Sequence, residues 1–152
     1  MDQAEALAFL EASHTGVLAT LRADGSPALS PLWFVVVDGA VIVRTLAASA
    51  KVRHIRRDPR VSFLVESGLA WQELQATILY GTAEVIGDRD LIARIDEAFA
   101  AKYDAFTIPA RAPERTREHY AAERVHIRIV PDRRSLTWDN AKLMRSAPVR
   151  EP

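Results

Sequence analysis

The chain has 152 residues, 49% of them hydrophobic and 26% charged, with 20 basic and 20 acidic side chains that cancel, and it contains no cysteine. That size and composition describe one folded domain able to bury a core, and they exclude a disordered chain. Disulfides, thiolate nucleophiles and cysteine-type zinc sites are excluded with the cysteines, and a broad basic surface for duplex nucleic acid does not fit zero net charge. No run of eighteen apolar residues occurs and the first residues, MDQAEALAFLEAS, are acidic where a signal peptide is basic, so a cytoplasmic protein is expected.

Asp2 and Glu5 stand as an N-cap and its N3 partner, which predicts an opening helix ending near Ser13. TGVLATLR at 15–22 alternates as a strand, ADGS at 23–26 reads as a turn, and ALSPLWFVVV at 28–37 is a second strand in which Pro31 predicts an edge or a bulge. Asp38-Gly39 is a two-residue hairpin signal leading into a third strand, AVIVRTL, ending at Leu46. Further strands are expected at 61–66 and within 76–86, where Gly81 marks a bend or a close backbone approach. Asp88 caps a helix with Leu91, Ile95 and Phe99 on one face, running to about Tyr103. A short helix at 114–122 and strands at 125–130 and 135–139 follow, and no periodicity survives in the tail. Six or seven short antiparallel strands with peripheral helices predict a mainly β single-domain barrel over 1–143, with 144–152 as a frayed tail.

Between the third and fourth strands lies SAKVRHIRRDP, residues 49–59, where Lys51, Arg53, His54, Arg56 and Arg57 leave only Val52 and Ile55 as an apolar stripe. Ser49 is placed to cap this two-turn helix and Pro59 to end it. Its first turn, with free N–H groups, a positive dipole end and Lys51, suits a phosphate or carboxylate; the charge run alone reads equally as a solvated face.

Other chemistry finds little support. The four histidines show no metal-ligand spacing, and GxSxG, GxGxxG and GxxxxGK[ST] are all absent. No catalytic acid, base or metal ligand is therefore named. Trp33 and Phe34 are neighbours on one strand and so face opposite ways, which argues against a stacking platform for single-stranded nucleic acid.

The succession GVLATLRADGSPALSPLWF, a hairpin, TLAASAKVRHIRRDPRVSFLVE and YGTAEVI, over about residues 14–86, resembles the split-barrel flavoproteins related to pyridoxamine 5'-phosphate oxidase, including their deazaflavin (F-420) branch. TWDNAKL at 137–143 resembles a C-terminal element of many such proteins. The resemblance implies an FMN-binding split barrel of six to seven strands, with the cofactor phosphate beside the helix after the third strand, at Thr45, Ser49, Lys51 and Arg57. It places Ser30, Pro31, Leu32 and Trp33 against the ring, several through backbone atoms. It further implies a homodimer with the cofactor at the interface and Trp138, with Lys142, reaching across. Many relatives carry asparagine where this chain has His54, and the basic C-terminal motif of true pyridoxamine phosphate oxidases is missing, which argues against the vitamin substrate. The expectation is an oxidoreductase using F-420 or FMN for hydride transfer to or from a small planar molecule. The Ala- and Arg-rich composition fits a high-GC genome, the setting in which the resemblance implies the deazaflavin F-420; a non-catalytic flavin, deazaflavin or tetrapyrrole carrier is the alternative.

Overall fold

A computed structural model of the chain describes residues 1–106 and 108–146. Seven strands, β1 (Thr15–Leu21), β2 (Pro27–Val37), β3 (Ala40–Leu46), β4 (Arg60–Ser67), β5 (Gln75–Val85), β6 (Arg124–Pro131) and β7 (Leu136–Asp139), form one sheet in the order β4-β1-β2-β3-β6-β5-β7. An additional β4–β5 pairing closes the first six into an antiparallel barrel, leaving β7 as an extra strand on β5. Closure satisfies the backbone groups that an open sheet would leave at its edges.

Alternation along each strand decides what fills the barrel. Leu18, Phe34, Val43, Phe63, Ile127 and Ile129 are fully buried and make one core cluster. Asp38 and Gly39 both adopt positive φ, 52° and 74°, as a tight hairpin of this twist requires, and join Val37 to its partner Ala40.

Among the described residues five helices surround the barrel: α1 (Gln3–Ala12), α2 (Ala50–Arg57), α3 (Arg89–Tyr103), α4 (Glu114–Ala121) and α5 (Asn140–Ser146). The capping box of α1 forms as its sequence predicts, with the Asp2 carboxylate accepting the Glu5 N–H and Glu5 accepting that of Asp2. α3 packs Ile95, Phe99 and Tyr103 onto Val35 and Ile42, which face outward from β2 and β3. Residues 144–146, expected to belong to a tail, lie in α5; the Asp139 carboxylate accepts the Ala141 N–H and fixes the first turn of this helix. The rest of that expected tail lies outside the described residues. Among the described residues no helix is long and apolar enough to cross a membrane.

One irregularity positions the site. β2 pairs with β1 along Pro27–Trp33, but its pairing with β3 covers only Phe34–Val37. β3 in turn pairs with β6 through Leu46. The two neighbours therefore part at Phe34, leaving one edge of the first half of β2 without a strand partner. Pro31 lies on that edge, where its missing N–H breaks no ladder, as its position in the sequence predicts.

Candidate functional site

The gap between β2 and the end of β3 opens beside the N-terminus of α2. Val52 and Ile55 bury the apolar stripe of this helix against the barrel end, which holds an otherwise marginal eight-residue helix in place. Ser49 occupies the N-cap position, but its side chain makes no capping bond; the Oγ is buried without a partner. The expected cap is thus a buried polar atom still needing a hydrogen bond. Lys51 is half-buried and, among the described residues, its Nζ donates only to the Thr45 hydroxyl, at 3.4 Å. Burial pulls its ammonium below the usual lysine range.

Ser49, Lys51 and Thr45 therefore come together. Thr45 points to the barrel interior beside the gap, since its neighbour Val43 pairs with Ile127 inside. Across the gap, Ser30 and Leu32 pair with Leu18 and Gly16 on the inward face, while Pro31 and Trp33 face outward. Arg57 sits at the other end of α2, where its guanidinium donates to the Leu21 carbonyl. Trp138 is 41% exposed on β7, across β5 and β6 from β3, so within one chain the topology separates it from the α2 cluster.

Three residues, His54, Tyr103 and Lys102, make contacts that were not anticipated from the sequence. His54 Nδ1 lies 3.0 Å from the hydroxyl of Thr20, a buried polar residue at the barrel end. Burial, then Arg57, Arg22 and Arg53, hold the His54 pKa below its ordinary value. Tyr103 bridges β1 and β2 just beyond the end of their ladder at Thr15–Trp33: its oxygen accepts the Phe34 N–H and lies 2.6 Å from the Phe34 carbonyl and 2.8 Å from that of His14. Its ring stacks on Trp33 at 4.6 Å and 6°. The i, i+4 continuation of the Ile95–Phe99 face was the signal for Tyr103. Lys102, beside it, donates to the Phe34 carbonyl at 3.2 Å.

Residues 2–136 match the family model described as Pyridoxamine 5'-phosphate oxidase. The chain belongs to that family. This pyridoxamine 5'-phosphate oxidase family protein is similar to the conserved hypothetical protein Rv2991 from Mycobacterium tuberculosis, at 35% identity and a TM-score of 0.80 over 95% of this chain and 88% of that one. It shares its fold with an FAD binding protein from Mycobacterium smegmatis (18% identity, TM-score 0.65, 91% and 97% covered). The same holds for HutZ, the heme storage protein from Vibrio cholerae (17% identity, TM-score 0.67, 88% and 92% covered).

Proposed function

We propose that this protein binds a phosphate-bearing flavin-type cofactor, F-420 or FMN, and uses it as an oxidoreductase acting on a small planar molecule. The observation that carries the reading is a buried Ser49 Oγ with no hydrogen-bond partner beside a half-buried Lys51 with no carboxylate partner, both among the described residues, at a helix N-terminus. A bound phosphate supplies what both lack, an acceptor for the hydroxyl and a negative charge for the desolvated ammonium. The unpaired edge of β2 at Ser30–Trp33 offers backbone groups to a heterocycle, and the outward Trp33 indole screens it from water. When bound, the cofactor carries the hydride; the chain anchors, orients and desolvates it.

A homodimer completes this reading. Pro31, Val17, Leu64, Ile78 and Leu136 are successive cross-strand partners on the outer face of five strands, forming an apolar row with Leu29 (69% exposed) beside it. A second copy seated there would bring Trp138, and Lys142 from α5, toward its partner's cofactor.

Arg53 and Arg57 are already held on the carbonyls of Ala48 and Leu21, leaving Arg56 as the basic side chain of α2 best placed for the anionic tail of F-420. A carrier that holds a flavin, deazaflavin or tetrapyrrole without turnover is the second reading, and the fold shared with the heme storage protein HutZ favours it. Absorption spectra of the purified protein with FMN, F-420 and haem identify the cofactor. Stopped-flow reoxidation of the reduced, bound cofactor by quinone, nitro and tetrapyrrole acceptors separates the readings: acceleration over free cofactor is expected, and its absence leaves the carrier.

A further inference from the structure

Where α2 lies against the end of β1, three guanidiniums gather around one imidazole. Arg22 Nη1 donates to the Pro27 carbonyl at 2.7 Å, Arg53 Nη1 to the Ala48 carbonyl at 2.8 Å, and Arg57 Nη2 to the Leu21 carbonyl. The main chain therefore sets their direction, and among the described residues none of the three is ion-paired with a carboxylate. Asp24 and Asp58, the acids that feel Arg22 and Arg57, already accept hydrogen bonds from Ser26 and Arg60. A guanidinium has five N–H donors, so one carbonyl bond orients it and leaves the others for an oxyanion.

His54 lies within this charge. Arg57, Arg22 and Arg53 all oppose its protonation, while Lys51, one turn earlier on α2, is turned to Thr45. The ring is anchored on the barrel end, with Nδ1 3.0 Å from the hydroxyl of Thr20, a residue only 2% exposed. That hydroxyl has a second acceptor, the Ala28 carbonyl, at 3.5 Å. It thus serves both states of the ring. It donates to Nδ1 of the neutral imidazole; once the ring is protonated, Nδ1–H donates to it and its own proton turns to Ala28. Nε2 has no partner among the described residues and is left for a ligand.

Three like charges make a protonated His54 unfavourable, and a bound oxyanion reverses the sign of that field. Anion binding and proton uptake then favour one another, each strengthening the other by the same factor. The direction follows: affinity for the anion rises as pH falls through the range in which His54 titrates.

We infer that His54, with Arg22, Arg53 and Arg57, forms a proton-linked subsite for a phosphate or sulfate group, in which arrival of the anion draws a proton onto the imidazole. The inference rests on the reading of α2 as the anion-holding element and adds the regulation of that element by pH.

The probe is inorganic sulfate, which keeps its double charge across the range in which histidine titrates. The His54 Cε1–H resonance of the full-length protein, assigned by its loss in His54→Asn, is followed against pH in sulfate and in chloride at matched ionic strength. Sulfate is expected to raise the His54 midpoint and to bind about tenfold more tightly to the protonated protein than to the neutral one. Chloride gives only the smaller rise of general screening. In Arg53→Gln the midpoint of the free protein rises, because a repelling charge is gone, and the further rise caused by sulfate shrinks. His54→Asn keeps a polar side chain without a titration, so its sulfate affinity no longer varies over the same pH range. Equal midpoints in sulfate and chloride, or the same pH dependence of sulfate affinity in His54→Asn as in wild type, overturn the inference. A parallel titration with FMN keeps the two readings apart. FMN that binds while sulfate leaves His54 unmoved removes the proton linkage alone, whereas FMN that fails to bind counts against the cofactor and leaves the sulfate result standing. A His54 response to FMN itself makes the cofactor phosphate the occupant; a sulfate response that survives in the FMN-loaded protein makes it a free oxyanion, and either supports the linkage.

Discussion

Lys51 turns back across the start of its own helix to Thr45, its Nζ 3.4 Å from the hydroxyl, with no carboxylate among the described residues to balance it. A desolvated ammonium held this way is a cost to the empty protein and an asset to an anion-bound one. The sign follows from its lowered pKa. The unfolded chain binds the proton more tightly, so the cost persists below the folded pKa and is relieved as pH rises towards 10.5. Lys51→Met is therefore expected to leave the apo protein as stable or more stable at neutral pH. The same variant weakens a phosphate-bearing cofactor about 10- to 100-fold, the equivalent of roughly 1.5–3 kcal/mol for a charge-assisted contact. Urea unfolding and a fluorescence titration read the two effects; unchanged cofactor affinity removes Lys51 from the site.

Trp138 and the α2 cluster are brought together only by a second chain, on the dimer reading. Trp138→Ala should then weaken cofactor binding in an assembly whose mass, by light scattering, remains that of the wild type. Since a truncated anchor aromatic typically costs 2 kcal/mol or more, a loss of about 30-fold is expected. A wild-type titration from an intact dimer would refute a role for Trp138 in trans.

His54 gives a pH dependence whose direction is fixed by its surroundings. Its folded pKa lies below 6.5, because burial and the charges of Arg57, Arg22 and Arg53 all oppose protonation. The unfolded state takes up the proton first, so stability falls as pH drops from about 6.5 to the folded value and then levels. Asp24 and Asp58, the nearby acids, are held below their usual range by Ser26 and Arg60 respectively, and stay ionised through this window. His54→Asn should flatten the acid limb of a thermal-midpoint profile relative to wild type. Parallel wild-type and His54→Asn profiles between pH 7 and 5 would contradict this.

The barrel was legible because its signals are local: period-two alternation, the Asp38-Gly39 turn, the Asp2–Glu5 box and the Asp88 cap all lie within a few residues of what they specify. Phe34 and Trp33 could be assigned to opposite faces for the same reason. The gap beside β2 was legible only as the hint of Pro31, since it depends on where β3 transfers its pairing to β6. Ser49 shows the limit more sharply. Its identity predicts a cap, yet the Oγ makes no capping bond, and side-chain direction at a crowded barrel end is set by tertiary packing. Tyr103 was missed because its significance lies in a partner 69 residues away, the backbone of Phe34.

Gly81 offers the clearest test of the fold itself. It lies on β5 opposite Val61 of β4 and Pro131 of β6, near where one side of β5 passes from β7 to β6. A Cβ built on Gly81 would stand 2.0 Å from the Val130 carbonyl oxygen and 3.0 Å from the Cα of Pro131. Both obstacles are backbone, so no rotamer change relieves the overlap, and the β5–β6 seam must open to admit a methyl group. Overpacking of this kind costs about 1–3 kcal/mol, and the upper end is expected where only main chain can yield. Gly87, just before the α3 cap, is the control: a Cβ there meets nothing within 4 Å, so Gly87→Ala should change stability by no more than about 0.5 kcal/mol. Urea midpoints measured side by side should separate the two variants, with Gly81→Ala far below wild type. Equal midpoints would mean that β5 and β6 do not approach as closely as the seam requires.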